Sequence, residues 1–425
     1  MTPRGRRAPK WRAHVLRCRR VVIRVGEEQA GQSPVSPSGP GGAHTWRSDH
    51  KNRPAGGSTD CAPNLEKKTG ATTNKLLGAT PNIMLHEEVT AVAHESPTGC
   101  WLDFDVAFGA PFDGPWGITL LPEGELCVVE RGSQGRPPVL RIVRSPAEAT
   151  GDDLDCYVLP LPPGDIDDLQ GVCVCAGVKT DELLVVDLSN HCVHRLEWPS
   201  GLPVLPAIGH ATKARGCDDE EALHYPRAVA ILEQQAVDQR EQRALRAAGC
   251  EPAGPALPER LICVADAGNG RVQTFDAASL AHVRCIGRPA AEPGSGIIVN
   301  GELEQPLGLC AHFGELYVVD GYRHRVSVFG GASGRFVRSI GGAGELTSPF
   351  ACLVVRGMLV VSEATRLLLY TLDGARRAAV ELPGAQNCAG LCASAEQLYV
   401  SDFSRGCVYR LRIGWADEGN RWEVD

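Results

Sequence analysis

The sequence predicts an all-β fold, a six-bladed β-propeller of four-stranded antiparallel blades, over residues 96–425. Two observations lead to this prediction. Short apolar segments recur from about Trp101 onward, separated by turns rich in Gly, Asp, His and Arg. Six of these segments end in an acidic residue, at intervals of 39 to 79 residues. A base period of about 40 residues with four strands per unit is typical of propeller blades, because one blade cannot bury both faces of its sheet alone.

The clearest repeat unit spans residues 306–340. Its predicted strands, at 306–311, 315–320, 325–329 and 335–340, form an antiparallel meander. The second strand of every unit ends in an acidic residue, and these six residues are Glu130, Asp187, Asp266, Asp320, Glu363 and Asp402. One more strand must complete the last blade so that the ring closes. We predict that residues 102–108 supply it, with residues 422–424 as the alternative.

The turn after the second strand resembles that of NHL repeats. Residues 266–272 read Asp-Ala-Gly-Asn-Gly-Arg-Val, which fits the D-x-x-N-x-R-(V/I) pattern of that family. The marked positions of this turn are Asp266, Asn269 and Arg271. A Pro-x-Gly or Pro-x-Ala start also recurs at residues 115, 226, 306 and 349. The resemblance covers about residues 111–413 and implies a six-bladed propeller, some of whose relatives bind RNA or protein through one face.

NHL propellers often follow RING, B-box and coiled-coil modules, as in ubiquitin ligases. Before the repeats this chain has only Cys18, Cys61 and Cys100. These cysteines are too few and too scattered for a RING, so ligase activity within this chain is not predicted.

Residues 1–95 differ in composition from the repeats. The first 85 residues carry 15 Lys and Arg against 5 Asp and Glu, a net charge of +10, whereas the remainder carries −18. The start is rich in Arg and resembles an organelle transit peptide, and residues 32–80 are dense in Gly, Ser, Pro, Thr and Asn. We therefore predict a disordered basic tail over residues 1–95. A second irregular segment, at 233–259, is rich in Gln, Glu, Arg and Ala and predicts a helical insert.

The 17 Cys residues include no C-x-x-C pair, and many fall inside predicted strands. Free thiols in strands behave as small buried hydrophobes, which indicates a reducing compartment. We predict a cytoplasmic protein, with a mitochondrion or plastid as the alternative because of the basic start. No run of about 18 apolar residues is present, so no membrane-spanning helix is predicted.

One face of the propeller is the predicted binding surface. In a four-stranded meander, the loop that leads into the first strand and the loop joining the second and third strands lie on the same face. The candidate binding residues in these loops are Trp116, Arg227, Tyr322, Arg323, Phe350 and Arg405. Arginine and aromatic side chains suit an acidic peptide, a phosphate group or single-stranded RNA. A protein partner is the first expectation and RNA the second, while a small-molecule substrate is not expected.

A structural role is the alternative for many of the charged residues, since Asp in a turn caps local backbone N–H groups and a nearby Arg offsets its charge. The residues assigned to the repeat turns are Glu130, Asp187, Asp266, Asn269, Arg271, Asp320, Arg325, Glu363 and Asp402.

The predicted function is a non-enzymatic interaction scaffold without a cofactor. The alternative is a calcium-dependent, lactonase-like hydrolase, because similar six-bladed propellers include calcium-dependent lactonases. Calcium binds carboxylate and amide oxygens. The residues that supply such oxygens at equivalent positions of four blades are Asp113, Asp167, Glu304 and Asn387.

Overall fold

The architecture is that of a computed structural model, which describes residues 100–109, 112–131, 136–151, 154–161, 166–176, 180–209, 222–234 and 258–415. These residues belong to one compact unit. The predicted tail at 1–95, most of the predicted insert and the alternative closing strand at 422–424 lie outside them, so the domain limits stay predictions.

The described residues form six antiparallel blades, which confirms the predicted fold class. Blade 1 contains β2 (Pro115–Leu120), β3 (Leu126–Glu130), β4 (Val139–Val143) and β5 (Cys156–Leu159). Blade 2 contains β6 (Leu169–Cys175), β7 (Glu182–Asp187) and β8 (Cys192–Glu197). Blade 3 contains β9 (Pro226–Glu233), β10 (Arg260–Asp266), β11 (Arg271–Asp276) and β12 (His282–Ile286). Blade 4 contains β15 (Pro306–His312), β16 (Glu315–Asp320), β17 (Arg325–Gly330) and β18 (Phe336–Ile340). Blade 5 contains β19 (Cys352–Val355), β20 (Met358–Ser362), β21 (Arg366–Thr371) and β22 (Arg376–Glu381). Blade 6 contains β23 (Cys388–Ala393), β24 (Gln397–Asp402), β25 (Cys407–Trp415) and β1 (Cys100–Phe108).

Three features depart from simple repetition. The short strands β13 (Arg288–Pro289) and β14 (Glu302–Leu303) pair in parallel between blades 3 and 4. Single turns of 3-10 helix, Ala267–Asn269 and Gly321–Arg323, follow the second strands of the same two blades. In the described part of blade 2, the outer edge of β8 carries isolated bridges, to Ile208 and Pro203, in place of a fourth strand.

The ring closes through β1, which pairs antiparallel with β25 as the outermost strand of blade 6. The predicted early strand at 102–108 is therefore confirmed as the closing strand. Blade 6 thus joins the first and the last described strands of the chain in one sheet.

The second strand of each blade is buried on both faces. In β3, Val128 packs into the interface with blade 6, while the next residue, Val129, packs into the interface with blade 2. Six apolar clusters fill the six interfaces between neighbouring blades. This two-sided burial explains why these strands are almost continuously apolar instead of alternating.

The first strands of the blades contact one another around a central channel. The third residue of each Pro-x-Gly/Ala segment, or of its equivalent in blades 2 and 6, is always Gly or Ala, because the backbone of the next blade lies against it; in blade 5 this residue, Ala351, directly precedes β19. A Cβ on Gly308 would lie 2.6 Å from the Phe350 carbonyl oxygen and 2.8 Å from the Ala351 Cα. The small residue of the Pro-x-Gly/Ala pattern therefore allows close backbone contact between blades. The residue before it lies at the opening of the channel.

Candidate functional site at the channel mouth

The six repeat acids are buried and fasten the leading loops of this face to the blades. Each carboxylate accepts hydrogen bonds from backbone N–H groups in the leading loop, the loop that precedes the first strand of its own blade. The donors are Asp113 to Glu130, Asp167 to Asp187, His224 to Asp266, Glu304 and Gln305 to Asp320, Thr347 to Glu363, and Gln386 and Asn387 to Asp402. The acids therefore set the position of every leading loop on this face.

Cationic side chains of the same blade pair with five of these acids. The pairs are Arg141 with Glu130, His194 with Asp187, Arg271 with Asp266, Arg325 with Asp320, and Arg366 with Glu363. Asp402 instead accepts further backbone hydrogen bonds, from Ser404 and Arg405. Arg271, Arg325 and Arg366 each form an ion pair with the repeat acid of their own blade.

The middle residue of each Pro-x-Gly/Ala segment, or its equivalent in blades 2 and 6, surrounds one end of the channel, here called the mouth; in blade 5 this segment directly precedes β19. These residues are Trp116, Gln170, Arg227, Leu307, Phe350 and Ala389. All except Gln170 line a cavity of about 90 Å³. Binding sites for small molecules usually enclose about 300–1,000 Å³. The mouth therefore has room for one side chain, not for a drug-sized ligand.

Aromatic rings form one part of the mouth. The ring centroids of Trp116 and Phe350 are 6.3 Å apart in an edge-to-face arrangement, and those of Trp116 and Phe403 are 5.2 Å apart. All three side chains are partly exposed. The small side chain of Ala389, in the blade between Trp116 and Phe350, leaves these two rings free to meet.

A polar network forms the other part. The Arg131 guanidinium donates two hydrogen bonds to Asp168, at 2.6 and 2.5 Å, and lies over the Trp116 ring at 5.0 Å. Gln170 Nε2 donates to Asp168 Oδ1 at 2.6 Å, and Arg227 Nη1 donates to Gln170 Oε1 at 3.3 Å. Gln170 thus links the charged pair to Arg227 through its amide.

Arg227 is a cation without a carboxylate partner among the described residues. Its Nε–H is buried and has no acceptor in the described part of the chain. Burial lowers the pKa of Arg227, and the positive charge of Arg131 lowers it further, while Asp168 and Tyr322 act in the opposite direction. The mouth therefore presents a partly buried guanidinium beside partly exposed aromatic rings.

The structure brings Trp116, Arg227 and Phe350 together at the mouth, while Tyr322 stands largely exposed at its rim. It does not bring Arg323 or Arg405 there. Arg323 is buried in an ion pair with Glu304 at 2.6 Å. Arg405 is exposed and donates to the Pro383 carbonyl and the Tyr409 hydroxyl.

The four calcium candidates lie in the leading loops of four different blades. Their backbone N–H groups all donate to repeat acids, and two of their side chains are near arginines, Asp113 near Arg136 and Glu304 with Arg323. Within the described ranges, no three His, Cys, Asp or Glu side chains are grouped so that they could hold a metal ion.

Asp168, Gln170, Phe403 and Arg131 belong to the mouth but were not among the binding residues predicted from the sequence. Three of these positions follow from the repeat register. Arg131 and Phe403 directly follow the repeat acids Glu130 and Asp402, while Gln170 stands at the second position of its strand. The first strand of blade 2 begins Leu-Gln-Gly instead of Pro-x-Gly, which hid this equivalence.

A second cavity, of about 420 Å³, opens where the first strands of blades 2 to 4 end, away from the mouth. Its wall includes Glu233, Arg260, His312 and the exposed ring of Phe313. The strands that line it lead into residues 235–257, outside the described part of the chain. The described wall does not define a ligand.

The fold and site define a six-bladed β-propeller with a polar and aromatic channel mouth. No family model matches the sequence, and no curated protein matches it. Among solved structures, the chain is similar to virginiamycin B lyase from Staphylococcus aureus (TM-score 0.48, 12% identity, 74% of this chain and 99% of that chain). It is also similar to a streptogramin B lyase structure (0.45, 11%, 75% and 100%) and to a nidogen/laminin complex (0.44, 15%, 64% and 85%). Such scores and identities do not assign a ligand or a reaction. The particular family therefore stays a resemblance, to NHL repeats.

No helix in the described ranges is long and apolar enough to cross a membrane.

Proposed function

We propose that this protein is a non-enzymatic, NHL-like interaction module that binds a protein partner at the channel mouth. The observation that carries the proposal is the grouping of Trp116, Phe350 and Arg227 around a small opening. Trp, Tyr and Arg are the residues most enriched among those that dominate binding energy in protein interfaces. These three side chains are partly exposed, and they lie on or directly before the packed first strands, which keeps the cost of ordering them low.

The size of the mouth favours a protein partner over a small-molecule substrate. A cavity of about 90 Å³ encloses too little of a free metabolite to bind it tightly. A protein segment gains additional contact area from the surrounding leading loops and from Tyr322 at the rim. The expected complex therefore places one or two anchor side chains at the mouth and spreads the remaining contacts over the face.

The test is a random-peptide display selection on the full chain, followed by affinity measurement of the selected peptides. The double variant Trp116→Ala/Phe350→Ala should weaken binding about tenfold or more, because it removes the aromatic contacts at the mouth. Phe313→Ala, which removes an exposed ring at the other cavity, is the matched control and should leave the affinity unchanged.

Thermal unfolding of both variants separates binding from packing. Peptides that bind the double variant and the wild type equally well would contradict binding at the mouth. If the double variant loses several degrees of thermal stability, the two rings are packing residues instead of binding residues.

The calcium-dependent hydrolase remains the alternative to this proposal. It requires one tightly held calcium ion per chain. Mass spectrometry of the purified full chain, before and after dialysis against a chelator, measures this directly. A stoichiometric metal ion would favour the hydrolase and redirect attention to Asp113, Asp167 and Glu304.

A further inference from the structure

The mouth contains one cation whose counter-charge is missing from the described chain. Resting on the proposed function, we infer that Arg227 receives a single carboxylate side chain, Asp or Glu, from an extended segment of the protein partner. The inference specifies the chemical type of the partner's anchor residue at the proposed binding face.

The charges at the mouth leave one positive charge uncompensated. Arg131 and Asp168 form a two-bonded ion pair that neutralises both groups. Gln170 is neutral and occupies only one N–H of Arg227, through a hydrogen bond of 3.3 Å. A monoanion at Arg227 would therefore make the network neutral.

The geometry of Arg227 also favours an acceptor from outside the chain. A buried N–H without an acceptor is costly, and a guanidinium binds a carboxylate best through two parallel hydrogen bonds. The buried Nε–H of Arg227 has no acceptor among the described residues, and this side chain lines the cavity. The side chain as a whole is only partly buried and lines the cavity, so a carboxylate that enters the mouth meets the guanidinium there and reaches the buried Nε–H when the side chain turns toward the opening.

Three features favour a carboxylate over a phosphate group or RNA. The cavity measures about 90 Å³. Deeper in the channel than the residues of the mouth, its wall is formed by apolar side chains and glycines, among them Val172, Gly308 and Leu391. The network of Arg131, Asp168, Gln170 and Arg227 has one net positive charge, which a carboxylate neutralises and a dianionic phosphate exceeds. The repeat part of the chain is strongly acidic, which opposes the neutralisation of several phosphates that RNA binding requires.

The neighbours of Arg227 indicate what accompanies the carboxylate. Trp116 and Phe350 present their rings at the same opening, so an apolar or aromatic residue next to the acid would contact them. The expected motif is therefore one acidic residue flanked by an apolar residue, held by an ion pair and by ring contacts.

The experiment compares two synthetic nonapeptide pools that differ only at the central position, Glu in one and Gln in the other, with an aromatic residue beside it. Fluorescence polarisation on the full chain should give at least tenfold tighter binding for the Glu pool. Arg227→Gln should remove that preference, so that both pools bind this variant with equal affinity, and Arg227→Lys should restore part of it. Arg144→Gln, which removes an exposed arginine that directly follows β4 and is paired with Asp155, is the matched charge control and should keep the preference.

The outcomes separate this inference from the proposed function. Equal binding of both pools that still depends on Trp116 and Phe350 overturns the carboxylate and leaves the proposed face standing. Absence of binding by either pool overturns both. If Arg144→Gln loses as much of the Glu preference as Arg227→Gln does, the inference is also overturned, since the preference would then come from the long-range electrostatic field of the protein.

Two competitors complete the test. A phosphoserine pool or an oligouridine that displaces the Glu pool at lower concentration than free Glu peptide would reassign the mouth to phosphate or to RNA. If Arg227→Gln fails to fold, as judged by thermal unfolding, Arg227→Lys alone decides: an undiminished Glu preference in that variant would overturn the two-bonded geometry.

Discussion

At the scale of single residues, the repeat acids at the ends of the second strands hold the leading loops in place. Asp402 accepts backbone hydrogen bonds from Gln386 and Asn387 in the leading loop and from Ser404 and Arg405 in the following turn. A carboxylate that binds four N–H groups in a buried position holds two loops at once. The acids are thus part of the framework that positions the mouth, and not themselves binding groups.

In blade 2 the same framework contains a histidine, which makes its stability depend on pH. His194 Nε2 lies 3.1 Å from Asp187 Oδ2. Burial is the largest single effect and opposes the charge on His194, but the hydrogen bonds with Asp187 and Cys192 and the electrostatic attraction of these two groups together outweigh it and raise the pKa of His194 from 6.5 to about 9. The pKa of Asp187 moves in the opposite direction: burial raises it, but the hydrogen bonds from His194, Asn190 and Asp167 together outweigh burial, so that the pKa is lowered overall.

We expect the protein to lose stability between pH 6.5 and about 9 through His194. A raised folded pKa means that the folded protein holds a proton that the unfolded chain releases, so the stabilisation is complete below pH 6.5 and disappears as pH rises through the folded value. The loss amounts to about 2–3 kcal/mol. Thermal unfolding from pH 6 to 10 measures it. His194→Gln should flatten the wild-type decline, and an equal decline in this variant would contradict the assignment.

At the scale of elements, the third residue of each first strand limits how closely the blades approach. Gly117, Gly171, Gly308 and Gly390 all lie against backbone atoms of the neighbouring blade. Backbone atoms cannot rotate away as a side-chain end can. The small residue in the Pro-x-Gly/Ala pattern is therefore a requirement of the ring, and it determines where the preceding residue enters the mouth.

Gly308→Ala should destabilise the protein by about 2–3 kcal/mol, because the new methyl group would lie 2.6 Å from the Phe350 carbonyl oxygen and push blades 4 and 5 apart. The measurement is denaturant unfolding. Gly342→Ala is the control, since a Cβ there meets nothing within 4 Å. Equal, small effects of both substitutions would show that the blades separate at little cost. If only Gly308→Ala loses stability, this variant should also bind peptides more weakly than the wild type, since Phe350 lies at the mouth.

At the scale of the whole molecule, features that lie within one blade could be predicted from the sequence, whereas side-chain contacts between blades could not. The buried second strands and their terminal acids, such as Asp266 and Asp320, lie within one meander, so the six blades could be predicted from periodicity. The pair of Arg131 and Asp168 joins two blades across a leading loop. Asp167 and Asp168 look equivalent in the sequence, but only the geometry of the ring shows which side chain reaches Arg131.

The closure of the ring also decides the stability of the whole molecule, because β1 covers the edge of β25. Leu102 packs at the interface of blades 5 and 6, and Phe108 at the interface of blades 6 and 1. The buried Arg410 on β25 donates to Asp105 at 2.8 Å. Without β1, blade 6 would expose an unpaired strand edge and leave Arg410 without its carboxylate.

A chain lacking residues 1–109 should therefore unfold at a temperature lower by about 5 °C or more and should aggregate, since exposed edges pair with other chains. Thermal unfolding with light scattering measures both effects. A chain lacking residues 1–95, which keeps β1, is the control and should unfold like the full chain. If the two shortened chains behave alike, either the ring does not depend on β1, or residues 1–95 contribute to stability, and comparison with the full chain separates these two cases.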